Sequence, residues 1–155
     1  MDRYPVIYLT VPTFAKTIDV AAPLEEAFGY VADFRTVTEW DPGIVKSQRV
    51  NNGPIGLGAT YDVMALFRGK PLPFRYEVSA YEEGRRLRFH GAGAKARSVD
   101  EILFERAGSG TRITYRAVVT MNGIYRLAGP FLGRTFDEMG SRALAGLKAK
   151  LDGAR

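Results

Sequence analysis

Few side chains in this sequence are suited to chemistry, and Asp100 is the first to consider. It lies in "ARSVDEILFER" (96–106), where Ser98, Asp100, Ile102 and Phe104 fall on one face of a strand. A carboxyl among apolar and aromatic neighbours has its pKa raised and can serve as general acid or base near neutral pH. It can equally sit at a cavity mouth or pair with an arginine such as Arg97. Tyr61, Tyr76 and Tyr115 occupy positions of the same parity on other strands. Their phenols can orient a ligand carbonyl or hydroxyl, or bond to one another, to backbone or to buried water. His90 is the only histidine and alternates outward with Arg86 and Arg88, so a Ser-His-Asp or metal mechanism finds no support. With no cysteine there is no disulfide, thiolate nucleophile or Cys-ligated metal. The glycine-rich "GPIGLG" (53–58) fits neither the dinucleotide nor the phosphate-loop pattern. No metal and no cofactor are expected.

The elements that must position these groups are legible from periodicity. "PTFAKTIDV" (12–20) alternates as a half-buried strand, and "APLEEAFGYVADF" (22–34) reads as a helix with Pro23, Glu25 and Glu26 in its first turn. A further helical turn over 35–40 stops before Pro42. From 44 to 122 the text is strand and turn, an antiparallel meander with breaks at Gly69-Lys70, Glu83-Gly84, Gly91–Gly93 and Gly108–Gly110. "GPIGLG" is expected to hang over a cavity entrance. The inward sets are Tyr61, Val63, Ala65 and Phe67; Leu72, Phe74, Tyr76, Val78 and Ala80; Leu87 and Phe89; and Ile113, Tyr115, Ala117, Val119 and Met121. Outward charges form cross-strand pairs, with Glu77 near Arg86 or Arg88 and Glu101 or Glu105 near Arg112 or Arg116. The stretch 130–155 is a long amphipathic helix whose apolar face carries Phe131, Leu132, Phe136, Met139, Leu144, Leu147 and Leu151.

In "ADFRTVTEWDPGI" (32–44), Asp33 can cap the second helical turn and Asp41-Pro42-Gly43 can turn the chain into the next strand. Trp40, the only tryptophan, then plugs the sheet edge beside the cavity. Asp41 is read as a turn residue and not as a catalyst.

Composition sets the outer limits. A chain of 155 residues, 46% hydrophobic and 25% charged, fits one globular domain over 1–155, with an arm at 1–11 that folds back or pairs with a neighbour's sheet edge. The state expected is monomer or homodimer. No apolar run nears the ~20 residues of a membrane helix, and "MDRYPVIYLTVP" lacks the pattern of a signal peptide. Cytoplasm is the default expectation. The 22 basic and 17 acidic residues are interspersed, which argues against a nucleic-acid partner. Weak contact with a membrane surface through Arg134, Arg142, Lys148 and Lys150 is the least supported alternative, because Asp137 and Glu138 lie among them.

One strand, two short helices, about six strands and a long helix make an α+β order. At this point "APLEEAFGYVADF", "WDPGI", "GPIGLG", "GTRITYR" and "LKAKL" together resemble the START/Bet v 1-like (SRPBCC) helix-grip superfamily, most nearly its bacterial polyketide cyclase/dehydrase-like group. The resemblance runs from about Phe14 to Leu151. It implies a seven-stranded curved antiparallel sheet, two short helices and a long C-terminal helix enclosing an apolar cavity. It does not imply one activity, because function belongs to the site. Two functions are carried forward. One is binding of a hydrophobic small molecule (lipid, polyketide or isoprenoid-like). The other is a cofactor-independent cyclase or dehydratase with Asp100 and a tyrosine as acid/base pair. The ligand-contacting set expected is Trp40, Tyr61, Phe74, Tyr76, Phe89, Asp100, Ile102, Tyr115, Phe131, Phe136 and Met139.

Overall fold

Residues 13–153 are described by a computed structural model of the chain; the N-terminal arm lies outside them. Strand β1 (Thr13–Val20) is followed by α1 (Leu24–Ala32), a 3-10 turn (Phe34–Thr36) and α2 (Val37–Trp40). Then come β2 (Ile44–Arg49), β3 (Thr60–Phe67), β4 (Lys70–Glu82), β5 (Arg86–Ala92), β6 (Ala96–Ala107) and β7 (Gly110–Met121). A 3-10 segment (Gly123–Phe131) leads into α3 (Gly133–Gly153). The sheet order is β1-β7-β6-β5-β4-β3-β2, with every neighbouring pair antiparallel. The two short helices thus carry the chain from one sheet edge to the other, and a meander fills the space between. This is the helix-grip arrangement.

Local chemistry explains the corners. Pro23 precedes α1 with extended backbone, and Glu25 and Glu26 occupy the helix's electropositive first turn. Asp33 caps the 3-10 turn by accepting from the Arg35 backbone N–H at 3.1 Å. The Ser47 hydroxyl donates to the Phe34 carbonyl at 2.9 Å, fastening β2 to this corner. Phe28 of α1 meets Tyr81 and Phe104 edge-on, with ring centroids 5.3 and 5.1 Å away. Aromatic pairs of this geometry add about 0.5–1.5 kcal/mol beyond burial.

Three expectations are corrected. The last helix begins at Gly133, not at Pro130, because residues 123–131 wind with three residues per turn. That shorter period changes which side chain points inward, so Leu132 is buried while Phe131 is 83% exposed. In β4 the register slips between Val78 and Ala80. Ala80 therefore faces Arg88 on the outer side, and Tyr81 takes the inner position. The same register sets Glu77 opposite His90 rather than an arginine. Arg86 instead bridges Glu82 at 3.0 Å and Glu101 at 2.9 Å, and Arg112 binds Asp19 at 2.9 Å. Arg116 does reach Glu101, at 3.9 Å. Half-exposed pairs of this kind contribute little each, roughly 0–1 kcal/mol.

Helix α3 is held hardest at its C-terminal half, where Ala143, Leu144, Leu147 and Leu151 are buried. At Gly146 a Cβ would stand 1.9 Å from the Trp40 carbonyl oxygen, so the helix backbone lies directly on α2. Gly29, on the exposed face of α1, has nothing within 4 Å of its own Cβ position. The same substitution at the two sites should therefore have opposite signs in chemical denaturation. Gly29→Ala gains about 0.5–1 kcal/mol of helix propensity, whereas Gly146→Ala loses about 2 kcal/mol or more by driving α3 off the corner.

Candidate functional site

Beyond its grip on α2, α3 leaves a cavity of about 150 Å³ between its N-terminal half and the sheet. Phe14, Leu72, Phe74, Val119, Phe136 and Met139 supply apolar wall, with the Phe136 ring stacked on Phe67 at 5.5 Å. Six polar side chains share the lining: Thr13 at the exposed start of β1, and Asp41, Tyr76, Ser98, Asp100 and Tyr115.

Strand register brings four of these together. Tyr76, Gly91 and Ser98 form one row across β4, β5 and β6. A side chain at Gly91 would collide with the Tyr76 ring at 2.5 Å, so the bare glycine lets that ring lie across β5 toward Ser98. Asp100 follows Ser98 on the same face and accepts its hydroxyl hydrogen bond at 2.5 Å. Tyr115 stands opposite Ile102 on β7, one diagonal step from Asp100, and its hydroxyl donates to the other Asp100 oxygen. Asp41 arrives from a different element. Its Oδ1 accepts from the Gly43 N–H at 2.8 Å, closing the turn after α2, and Gly43 packs near Met139 of α3. The corner is thus tucked under the helix, and that carries a carboxyl into the cavity.

Burial governs the electrostatics. It raises the Asp100 carboxyl above its ordinary value, against the opposing hydrogen bonds from Ser98 and Tyr115. Burial and the neighbouring Asp100 charge push the Tyr76 and Tyr115 phenols well above theirs. Asp41 is raised to about 6, chiefly by burial and also by Asp100, while the Gly43 N–H and Arg142 pull it down. Two carboxyls thus share one apolar space: Asp100, hydrogen-bonded to a phenol and an alcohol, and Asp41, which at about 6 can hold, give or take a proton near neutral pH. Among the described residues no three His, Cys, Asp or Glu side chains come together as a metal site.

Of the residues named from sequence, Phe74, Tyr76, Asp100, Tyr115, Phe136 and Met139 line this cavity. Asp100 pairs with Ser98 and Tyr115, not with Arg97. Tyr61, Phe89 and Ile102 face the expected side but are fully buried in solid core; Phe34 covers Phe89 with a stacked ring at 4.4 Å and meets Tyr61 at 5.8 Å. Trp40 is buried behind the cavity, edge-on to Tyr115 at 6.4 Å. Phe131 is outside altogether. The "GPIGLG" loop does not hang over the entrance. It joins β2 to β3 beside Val78, at the end of β3 remote from the lining residues Ala65, Leu66 and Phe67. Asp41 and Ser98 are the polar residues the sequence reading left out of the site. Ser98 carried a usable signal, since its parity matches Asp100; Asp41 carried none beyond its turn chemistry.

The Asp41 shift makes a pH prediction. Between about 4 and about 6 the folded state holds a proton on Asp41 that the unfolded chain has lost, so this group's contribution to stability falls as pH rises through that window. Asp41→Asn keeps an acceptor for the Gly43 N–H and removes the charge. The variant should melt higher than the parent at pH 8, with the gap closing by pH 4, as thermal denaturation across a pH series would show.

No curated protein matches this chain. Among solved structures, a START superfamily protein from Mycobacterium smegmatis is 18% identical, with a TM-score of 0.77 over 92% of this chain and 99% of that one. TTHA0849 from Thermus thermophilus is also 18% identical, with a TM-score of 0.77 over 90% and 97%. The Zhui aromatase/cyclase from Streptomyces sp. R1128 is 11% identical, with a TM-score of 0.77 over 91% and 93%. Identities this low establish a shared fold. The family model described as polyketide cyclase/dehydrase and lipid transport matches residues 11–152, nearly the whole chain. The chain belongs to the polyketide cyclase/dehydrase and lipid transport family.

Proposed function

We propose that the chain binds a compact, largely apolar molecule in the cavity beneath α3. The observation that carries this reading is a partly open space of about 150 Å³ with aromatic and aliphatic walls and its polar groups gathered from several elements. A cavity of roughly this size in an apolar core holds a benzene-sized guest, whereas drug-sized ligands occupy about 300–1,000 Å³. The fitting occupant is therefore a single substituted ring or a short branched chain. A long lipid or an intact polyketide would have only one end inside. Native mass spectrometry of freshly purified protein, with organic extraction, should find such a compound bound. Ala117→Phe, which fills the lining from β7, should release it while leaving the far-ultraviolet spectrum unchanged. An empty parent protein that takes up no small apolar probe would sink the reading.

A second reading, cyclase- or dehydratase-type catalysis, is favoured by one observation: a carboxyl at about 6 stands in the same cavity as a second carboxyl bonded to a phenol. A carboxylate there can take a proton from the carbon between two carbonyls, and a phenol or carboxylic acid can supply one to the oxygen that becomes hydroxyl. Only the segment undergoing ring closure needs to enter. On this reading Asp100→Asn abolishes turnover of a poly-β-ketone and spares binding; unchanged turnover would remove Asp100 from the role.

The route of entry is proposed at the segment after β7. Ile124, Leu127 and Phe131 are exposed there beside Arg126, and Lys95 lies over the Tyr125 ring at 5.6 Å. This apolar and cationic patch suits an anionic lipid surface better than the last helix does, where Arg134 and Lys148 are paired with Glu138 and Asp152. Co-sedimentation with phosphatidylserine vesicles should fall when Leu127 and Phe131 are both changed to Ser, and should be indifferent to Lys148→Ser.

A further inference from the structure

The polar end of the cavity is lopsided in what it can offer a ligand. Ser98 and Tyr115 each own one hydroxyl proton, and both donate to Asp100, one to each oxygen. What these hydroxyls still present is lone pairs. Asp41 adds a second carboxyl, with one oxygen taken by the Gly43 N–H. Tyr76 is already hydrogen-bonded to Ser98, which leaves Thr13, at the exposed start of β1, as the remaining hydroxyl of the lining. Against this concentration of acceptors, no Lys, Arg or His lines the cavity among the described residues. Arg142, whose charge reaches Asp41, is exposed on α3 and does not line the space.

Resting on the binding reading above, we infer that this site selects its ligand by charge and hydrogen-bond polarity: it takes small apolar molecules headed by a neutral donor (alcohol, phenol or primary amide) and rejects carboxylates. A donor head finds Asp41, Asp100 or the hydroxyl lone pairs, and its apolar body fills the space between Phe74, Phe136 and Met139. A carboxylate head of the same size brings a negative charge up against carboxyl groups in a space whose lining holds no cation. It must also be stripped of water, while the hydroxyls of Ser98, Tyr115 and Tyr76 are already engaged within the site. Like charges set against each other in a desolvated site strongly disfavour binding. Fatty acids and aromatic acids are thereby excluded as the natural cargo, and alcohols, phenols and amides of similar bulk are admitted.

The test uses the full chain and three probes matched in size: 4-ethylbenzamide, 4-ethylbenzoate and ethylbenzene, titrated calorimetrically at pH 7.5. The amide and the carboxylate are near-isosteric, so shape cannot separate them. The amide should bind, ethylbenzene should bind more weakly, and the benzoate should be weaker than the amide by about 100-fold or more. In the Asp41→Asn/Asp100→Asn double variant, checked for folding by circular dichroism, that ratio should shrink to about tenfold or less. Equal binding of amide and benzoate would overturn the charge selection while leaving the binding reading in place. So would binding of ethylbenzene alone, since the polar groups would then not be meeting the ligand. If none of the three binds to the parent protein, both readings fall together. The comparison on the parent chain decides the matter even if the double variant does not fold.

Discussion

Everything that concerns the site depends on where α3 is allowed to touch. At Gly146 the helix backbone rests on the Trp40 carbonyl, closer than any residue with a side chain would permit. This contact anchors the C-terminal half, and Leu144, Leu147 and Leu151 complete a solid core around it. Toward its N-terminus the same helix runs over Phe14 and Ala117, and the volume there is left unfilled. A cavity in a protein interior forfeits dispersion contacts and costs stability. Its persistence at one end of an otherwise well-packed molecule is the physical basis for treating it as a site.

The grip also explains why two acids meet in an apolar space. Asp100 is delivered by the sheet, as an inward position on β6 between Ser98 and Ile102. Asp41 is delivered by the corner that α3 presses down, through the turn closed by the Gly43 N–H. Neither element alone would place a carboxyl opposite another. Burial disfavours both charges, and the hydroxyls of Ser98 and Tyr115 compensate Asp100 only in part. Such an arrangement is expected where function, not stability, has determined the residues.

Much of the fold could be read in advance, and the limits of that reading have physical causes. Period-two alternation placed Ser98, Asp100, Tyr115, Tyr76 and Phe74 on the inner face, because parity along a strand is set by the backbone itself. Parity says nothing about depth along the strand. Phe89 and Ile102 share the face with Asp100, yet they are sealed in the core, where Phe34 of the corner stacks on Phe89. Phe131 failed for a different reason: its phase was counted at 3.6 residues per turn through a segment that winds at three. Ala80 was displaced by a one-residue bulge that no local signal announces. Asp41 was invisible as a site residue because its position depends on how a corner docks under a helix that begins only at Gly133. The family resemblance named the architecture correctly but could not choose among these side chains.

The central claim is that ligand enters the space between α3 and the sheet. It is tested most directly by amide chemical-shift perturbation in an isotope-labelled sample titrated with 4-ethylbenzamide. The account predicts saturable shifts at Ser98, Asp100, Tyr115, Met139 and Gly140, which border the cavity from both sides. Shifts confined to the outer face of the sheet, around the second hollow formed by Lys46, Asp62, Pro73 and Arg75, would contradict it.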